Sequence, residues 1–135
     1  MRSYLPLIAR ILLGLIFVMS GFSKITGFDG TQEYMASNGI PMTAIFLVGA
    51  IAVEILGGLS VILGLWARAG AATLVLFLIP ATLIFHTDFS QQTQMIMFLK
   101  NLSIMGGLLL VTAYGSGDYS LRSFQLTEER TGAYV

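Results

Sequence analysis

Residues 43–65 read TAIFLVGAIAVEILGGLSVILGL, a run of 23 residues that carries a single charge, at Glu54. A helix that crosses the hydrocarbon of a bilayer needs about 20 mostly apolar residues. Three further stretches meet the same requirement, at residues 5–22, 67–86 and 94–114. The sequence therefore predicts four membrane-spanning helices.

The four stretches are continuously apolar, whereas a membrane barrel strand alternates apolar and polar residues. An open sheet cannot span lipid with unpaired edges. We therefore expect an all-α fold, an integral membrane four-helix bundle formed by one domain over residues 1–135. The second and third spans are joined only by the region around residues 66–68 and should form an antiparallel hairpin. In the first connection, Asp29 followed by Gln32 resembles a capping box, which predicts a short interfacial helix near residues 30–37.

The composition agrees with a membrane protein and excludes several functions. Of 135 residues, 56% are hydrophobic and 10% are charged, against about 25% charged in an ordinary soluble domain. Seven Lys and Arg balance seven Asp and Glu, so no basic surface is available for nucleic acid. The chain has no cysteine and one histidine, so we predict no metal site and no covalently bound redox group.

The distribution of positive charge predicts the orientation. Four arginines fall on the side of the N-terminus, the second connection and the C-terminal tail: Arg2, Arg68, Arg122 and Arg130. The opposite side has only Lys24, so both termini should be cytoplasmic in a bacterial inner membrane. A cleaved signal peptide over the first stretch is disfavoured, because Arg10 interrupts it and three spans would remain. The polar tail, residues 118–135, should be a loop or poorly ordered.

Charges inside a span cost about 2.5–3.5 kcal/mol near the bilayer centre, so they need partners. On the first span, steps of three and four place on one stripe Arg10, Gly14, Phe17, Gly21 and Lys24. On the second span, Glu54 shares a face with small residues at Gly57 and Gly58. Small residues allow helices to approach closely, so both faces should point into the bundle.

On the fourth span, Lys100 and Asn101 lie within the apolar run. We expect Arg10 and Lys100 to approach Glu54 from opposite sides and to form one ion-pair network. Other interpretations remain open: Arg10 can snorkel to the headgroups, and Lys24 can be an interfacial anchor. For His86, near the end of the third span, a solvated interfacial side chain is favoured over a proton donor or quinone ligand.

Several short motifs make the chain resemble a known family. They are Gly21-Phe22-Ser23-Lys24, Glu54 with Gly57-Gly58, Phe85-His86 and Lys100-Asn101-Leu102. The chain resembles the DoxX family of small four-helix bacterial inner-membrane proteins, in particular its YqjF-like branch. The resemblance implies a link to a thiosulfate:quinone oxidoreductase subunit and to quinol oxidase subunits, and hence a bound quinone and a redox partner subunit.

Three functions follow as hypotheses. In the first, the chain is a redox-associated subunit rather than a self-sufficient enzyme, with Glu54 as the proton acceptor of a quinone bound between the helices. The residues expected to bind this ligand are Arg10, Lys24, Glu54, His86, Lys100 and Asn101. The second is a structural or assembly protein whose buried charges only fix the bundle. The third, less favoured, is a small proton or weak-acid transporter.

Besides the lipid bilayer, the expected partners include further copies of the same chain in a homo-oligomer. Two small-residue motifs offer a packing surface for it: Ser60-x-x-x-Gly64 and Ser103-x-x-x-Gly107.

Overall fold

The structure, a computed structural model, describes residues 3–132 and forms six helices over that range. They are α1 (Leu5–Thr26), α2 (Phe28–Ser37), α3 (Thr43–Leu63), α4 (Ala67–Phe85), α5 (Gln92–Tyr114) and α6 (Leu121–Gly132). Four of them, α1, α3, α4 and α5, are long and apolar enough to cross a membrane. The predicted all-α fold with four spans is confirmed.

The helices differ from the predicted spans mainly at their ends. The first helix continues four residues beyond the predicted end, to Thr26. Helix α3, the second predicted span, ends two residues early, at Leu63. It ends there because Gly64 adopts a left-handed conformation with a φ of 73°, and the Gly64 N–H donates to the Ser60 carbonyl over 2.9 Å. Both differences change the depth at which charged side chains lie.

The four membrane-spanning helices pack side by side in the order α1, α3, α4, α5. Helix α1 packs mainly on α3, α3 on α4 and α4 on α5, while α5 touches α1 only sparsely. The apolar core lies between these helices and consists of Phe17, Val61, Ala67, Ala71, Leu74, Leu78, Leu108 and Val111. Most other large apolar side chains of the spans point outward, as expected for helices that face lipid.

The closest helix contact joins α1 to α3 through glycines. A Cβ at Gly58 would lie 2.9 Å from the Gly14 carbonyl oxygen, closer than real Cβ atoms come to other atoms. Gly14 and Gly21 are both buried on α1, together with Arg10 and Phe17. The predicted inward stripe of α1 is therefore confirmed, and the absence of side chains at Gly14 and Gly58 allows the two backbones to meet.

Helices α1 and α6 both begin at one end of the bundle, which we call the terminal end. There the ring of Tyr4, before α1, stacks on that of Tyr119, before α6, with centroids 4.3 Å apart. The connection between α3 and α4 lies at the same end, since Arg10 near the start of α1 contacts carbonyls near the end of α3. The connections that hold α2 and His86 lie at the opposite end. Arg2, one of the arginines used to predict the orientation, lies outside the described residues.

The short helix predicted in the first connection is present as α2, but its predicted capping box is wrong. The helix starts at Phe28, so Asp29 lies inside the first turn and no side chain caps the N-terminus. Within α2, the side chain of Met35 is buried. The ring of Tyr34 stacks on that of Phe85 at the end of α4, with centroids 5.3 Å apart. Helix α2 therefore lies against the bundle rather than apart from it.

The expectation of an irregular tail is wrong for residues 121–132, which form α6. Ser120 and Ser123 cap this helix reciprocally: each backbone N–H donates to the other hydroxyl over 3.2 Å. This is the geometry of a capping box, with serine in place of the usual Glu or Gln. The spacing Ser120-x-x-Ser123 was the sequence signal for a helix start. The last three residues of the tail lie outside the described range.

Candidate functional site

One ion pair lies inside the membrane-spanning part of the bundle, between α1 and α3. Lys24 Nζ is 3.1 Å from Glu54 Oε1 and 3.0 Å from Oε2, the one salt bridge among residues 3–132. Glu54 stands near the middle of α3, with eight residues between it and the last helical residue, Leu63. The pair therefore lies where a lone charge is most costly, and each ion offsets the other's desolvation.

Ser20 completes the site from one turn earlier on α1. Its hydroxyl accepts a hydrogen bond from Lys24 Nζ over 2.7 Å and donates one to Glu54 Oε1 over 3.2 Å. Glu54 Oε1 thus has two donors, whereas the buried Oε2 has the nearby ammonium but no well-aligned hydrogen bond. One carboxylate oxygen therefore retains the capacity to accept a further hydrogen bond or a proton.

The two ions differ in accessibility. Glu54 is 4% exposed, and it shares its buried face with Gly57, Gly58 and Val61, as the sequence predicted. The Lys24 side chain is 26% exposed. A group arriving at this site from outside the bundle would therefore meet the ammonium of Lys24 before the carboxylate of Glu54.

Arg10 occupies a different position from the predicted one. Its Nη1 donates to the carbonyls of Val61 (3.2 Å) and Ile62 (3.1 Å), and its Nη2 donates to the carbonyl of Tyr119. The residue is 1% exposed. Carbonyls of the last helical turn lack partners within their own helix and carry the negative end of the helix dipole. Arg10 therefore caps α3 and ties it to the segment before α6.

The predicted network of Arg10, Glu54 and Lys100 is wrong. Arg10 is committed to backbone carbonyls at the terminal end, and Lys100 is exposed, with Met97 Sδ at 3.3 Å as its hydrogen-bond partner. The cation beside Glu54 is Lys24, for which an interfacial anchor was one of the open interpretations. The sequence carried a signal for this pair, because Lys24 continues the inward stripe of α1 by one turn.

The remaining predicted site residues form a second, smaller group. Asn101 on α5 donates from Nδ2 to the hydroxyl of the buried Thr82 on α4 over 3.0 Å. At the end of α4, His86 Nδ1 lies 3.3 Å from Gln94 Oε1 at the start of α5, and the His86 side chain is half-buried. These contacts join α4 to α5. No contact links Asn101, His86 or Lys100 to Glu54 among the described residues.

Among residues 3–132, no group of three or more His, Asp or Glu side chains is arranged to hold a metal ion.

Two polar groups at these sites, Ser20 and Thr82, were not predicted from the sequence. Each is a hydroxyl that satisfies one of the predicted site residues inside an apolar bundle. A hydroxyl one turn from a buried charge on the same helical face was the available signal for Ser20.

The comparisons with known proteins agree with this architecture. The DoxX family model matches residues 5–87, which include α1 to α4 and the whole Lys24–Glu54 pair. The chain belongs to the DoxX family. Inner membrane protein YqjF of Escherichia coli (strain K12) is 40% identical over 115 residues, which cover 85% of this chain and 87% of YqjF. Inner membrane protein YphA of the same organism is 38% identical over 125 residues, 89% of each chain.

A third relative of this DoxX family chain is "Putative oxidoreductase CatD" of Bacillus subtilis (strain 168). It is 36% identical over 75 residues, which cover 56% of this chain and 54% of CatD. No solved structure matches the chain. Inner-membrane relatives together with four apolar helices make this a multi-pass inner membrane protein of the DoxX family.

Proposed function

We propose that this chain is a membrane subunit of a quinone-linked redox system and that a quinone or quinol binds beside Lys24 and Glu54. The observation that carries the proposal is the buried pair itself, a carboxylate bonded to a partly accessible ammonium inside a membrane-spanning segment. Ionisable groups at such depth are rare and commonly mark ligand or proton pathways. The name of one relative, "Putative oxidoreductase CatD", supports a redox connection.

The residues at this site fit a quinone. A quinone is an apolar ring with two carbonyl oxygens, so it needs a hydrogen-bond donor, a proton-handling group and access from lipid. Lys24 supplies an accessible donor, and Glu54 Oε2 supplies an acceptor without a well-aligned partner. When bound, a quinone would supply two-electron and two-proton redox chemistry, for which the chain has no cysteine or metal ligand cluster of its own within the described residues.

The roles of the protein groups follow from their contacts. Lys24 orients a ligand carbonyl by donating a hydrogen bond, while Ser20 holds the ammonium in place. Glu54 accepts a proton on Oε2, the carboxylate oxygen that lies 3.0 Å from the Lys24 ammonium. The side chains of Asn101 and His86 belong to the α4–α5 group and bind a ligand only if it extends to that side of the bundle.

Quinone retention tests this proposal directly. The protein is purified from membranes in a mild detergent, its lipids are extracted, and quinone per folded chain is measured by mass spectrometry. The wild type should retain quinone at close to one per chain, and Glu54→Gln should reduce the amount severalfold. Glu33→Gln is the matched control, because Glu33 is exposed on α2 and makes no salt bridge within residues 3–132. Quinone in the wild type no higher than in an unrelated four-span protein would refute the proposal.

A structural role is the second candidate, and the contacts of Arg10 favour it. This side chain is almost fully buried and joins α1, the end of α3 and Tyr119 without facing a cavity that contains Glu54. If the Lys24–Glu54 pair serves the same purpose, Glu54→Gln lowers the yield of folded protein and leaves the quinone content of the folded fraction unchanged. The same extraction therefore separates the two functions.

A further inference from the structure

A cavity of about 210 Å³ opens at the terminal end of the bundle, far along α3 from Glu54. It lies between the start of α4, the loop after α5 and the first turns of α6. Its lining is Arg68, Tyr114, Gly115, Ser116, Gly117, Ser120, Arg122, Ser123 and Leu126. Among the described residues, two arginines and no carboxylate line this space, which favours a positive electrostatic potential there.

The guanidinium groups of Arg68 and Arg122 have no acidic partner. The salt bridge among residues 3–132 is the distant Lys24–Glu54 pair, and neither arginine makes a hydrogen bond within that range. This contrasts with Arg10, whose Nη1 and Nη2 donate to backbone carbonyls. Each of the two cavity arginines therefore presents a planar fork of free N–H donors, the geometry that suits phosphate oxygens.

The loop that carries the cavity is held by its own serines. Ser120 and Ser123 cap α6 reciprocally, and Ser123 Oγ also donates to the Asp118 carbonyl over 2.5 Å. Ser116 Oγ donates to Ser120 Oγ over 3.2 Å. Because these hydroxyls are used in fixing the loop, the site is formed without a ligand, and the two arginines are the donors that remain.

A glycine keeps the space open. Gly115 has a φ of 80°, and a Cβ there would lie 3.0 Å from Arg68 Nε. The missing side chain thus lets the Arg68 guanidinium lie against the loop. The cavity, at about 210 Å³, is many times larger than the space that a single water molecule needs. That is sufficient for a phosphate group with part of its hydration shell.

We propose that Arg68 and Arg122 form a binding site for a phosphate group, carried either by an anionic lipid headgroup or by a free phosphate. Basic pockets between membrane helices at the cytoplasmic surface are known to hold lipid phosphates. The terminal end is the end that the positive charges predict to be cytoplasmic. The site is separate from the Lys24–Glu54 pair and does not depend on the redox proposal.

Two measurements on the full chain in detergent test the site and identify the source of the phosphate. Native mass spectrometry compares retention of phosphatidylglycerol with that of zwitterionic phosphatidylethanolamine. A thermal-shift titration compares inorganic phosphate with chloride at constant ionic strength. Preferential retention of phosphatidylglycerol assigns a lipid headgroup, and stabilisation by phosphate assigns a free anion. The absence of both effects would overturn the proposal.

Variants then localise the effect. Arg68→Gln and Arg122→Gln should each weaken binding about tenfold or more, because each removes charge-assisted hydrogen bonds. Arg130→Gln removes the same charge from an exposed position on α6 that does not line the cavity, and it should change binding less than about twofold. Circular dichroism checks that all three variants keep their helices. An equal loss in the Arg130 variant would mean diffuse charge attraction and would refute a defined site.

Discussion

Replacement of Arg10 by methionine should destabilise the bundle strongly. The change keeps an unbranched side chain of about the length of the arginine stem and removes the end of the guanidinium, whose Nη1 and Nη2 bind the carbonyls of Val61, Ile62 and Tyr119. Those three carbonyls then lose their hydrogen-bond donor. The side chain at position 10 no longer joins α1 to α3 and to the segment before α6 by polar contacts. The perturbation is therefore aimed at one side chain with three identified bonds.

The expected magnitude follows from those bonds. Hydrogen bonds between membrane helices contribute about 0.6 kcal/mol each on average, and bonds to charged groups in soluble proteins contribute about 1.5 kcal/mol or more. Three such bonds span about 2 to 4.5 kcal/mol. Since the carbonyls of Val61 and Ile62 stand at a helix end where water can replace part of the interaction, we expect a loss of about 2–4 kcal/mol. This is a factor of about 30 to 1,000 in the folding equilibrium.

Reversible unfolding in bicelles or mixed micelles measures this loss, with the fluorescence of Trp66 as the signal. Trp66 is the chain's single tryptophan and directly follows Leu65, whose carbonyl accepts a hydrogen bond from Ser60 close to Arg10's partners. Arg10→Lys keeps the charge with fewer donors and should fall between the wild type and Arg10→Met. Arg130→Met is the control for charge removal alone. Stability of Arg10→Met within about 0.5 kcal/mol of Arg130→Met would refute the assigned role, because surface substitutions alone produce changes of that size.

Three further outcomes are expected. Gly64→Ala should lose at least about 1–2 kcal/mol, because a left-handed φ is costly for alanine and the new methyl meets the Arg10 guanidinium. Gly106→Ala, where nothing lies within 4 Å, should lose nothing, and equal effects of the two changes in an unfolding titration would contradict this account. A double-mutant cycle with Lys24→Met and Glu54→Gln should show a coupling of about 1–3 kcal/mol in the free energy of unfolding, and a coupling near zero would remove the ion pair from the stability argument. Because the chain has no cysteine, Asp88→Cys gives a single thiol, which an impermeant maleimide should label from the periplasmic side of intact membranes; labelling only after permeabilisation would reverse the orientation.

The inward faces of the helices were predictable from the sequence because they depend on local periodicity. Arg10, Gly14, Phe17 and Gly21 recur at helical spacing, and the structure buries all four. The same reasoning placed Glu54 inward with Gly57 and Gly58. Small residues on these faces determine how closely two helices approach. That information is contained in each segment alone.

The pairing of the charges could not be predicted in the same way. Depth was counted from the predicted ends of the spans, and α1 extends four residues beyond the predicted end, so Lys24 of the inward stripe lies within the helix rather than beyond its end. Helix α3 ends two residues early, and its last carbonyls therefore become acceptors at the level of Arg10. Small shifts at helix ends change which groups can meet, because a lysine or arginine side chain reaches only about one helical turn.

The sequence by itself determined that this chain has four apolar spans, that they are helical, and which face of α1 and α3 is buried. Those properties follow from composition and from a period of 3.6 residues, which operate within single segments. Only the tertiary structure decided that Glu54 pairs with Lys24, that Arg10 caps α3, and that Arg68 and Arg122 share one cavity. These contacts join residues between 30 and about 110 positions apart, and they depend on the axial register of helices and on the exact residue at which each helix ends.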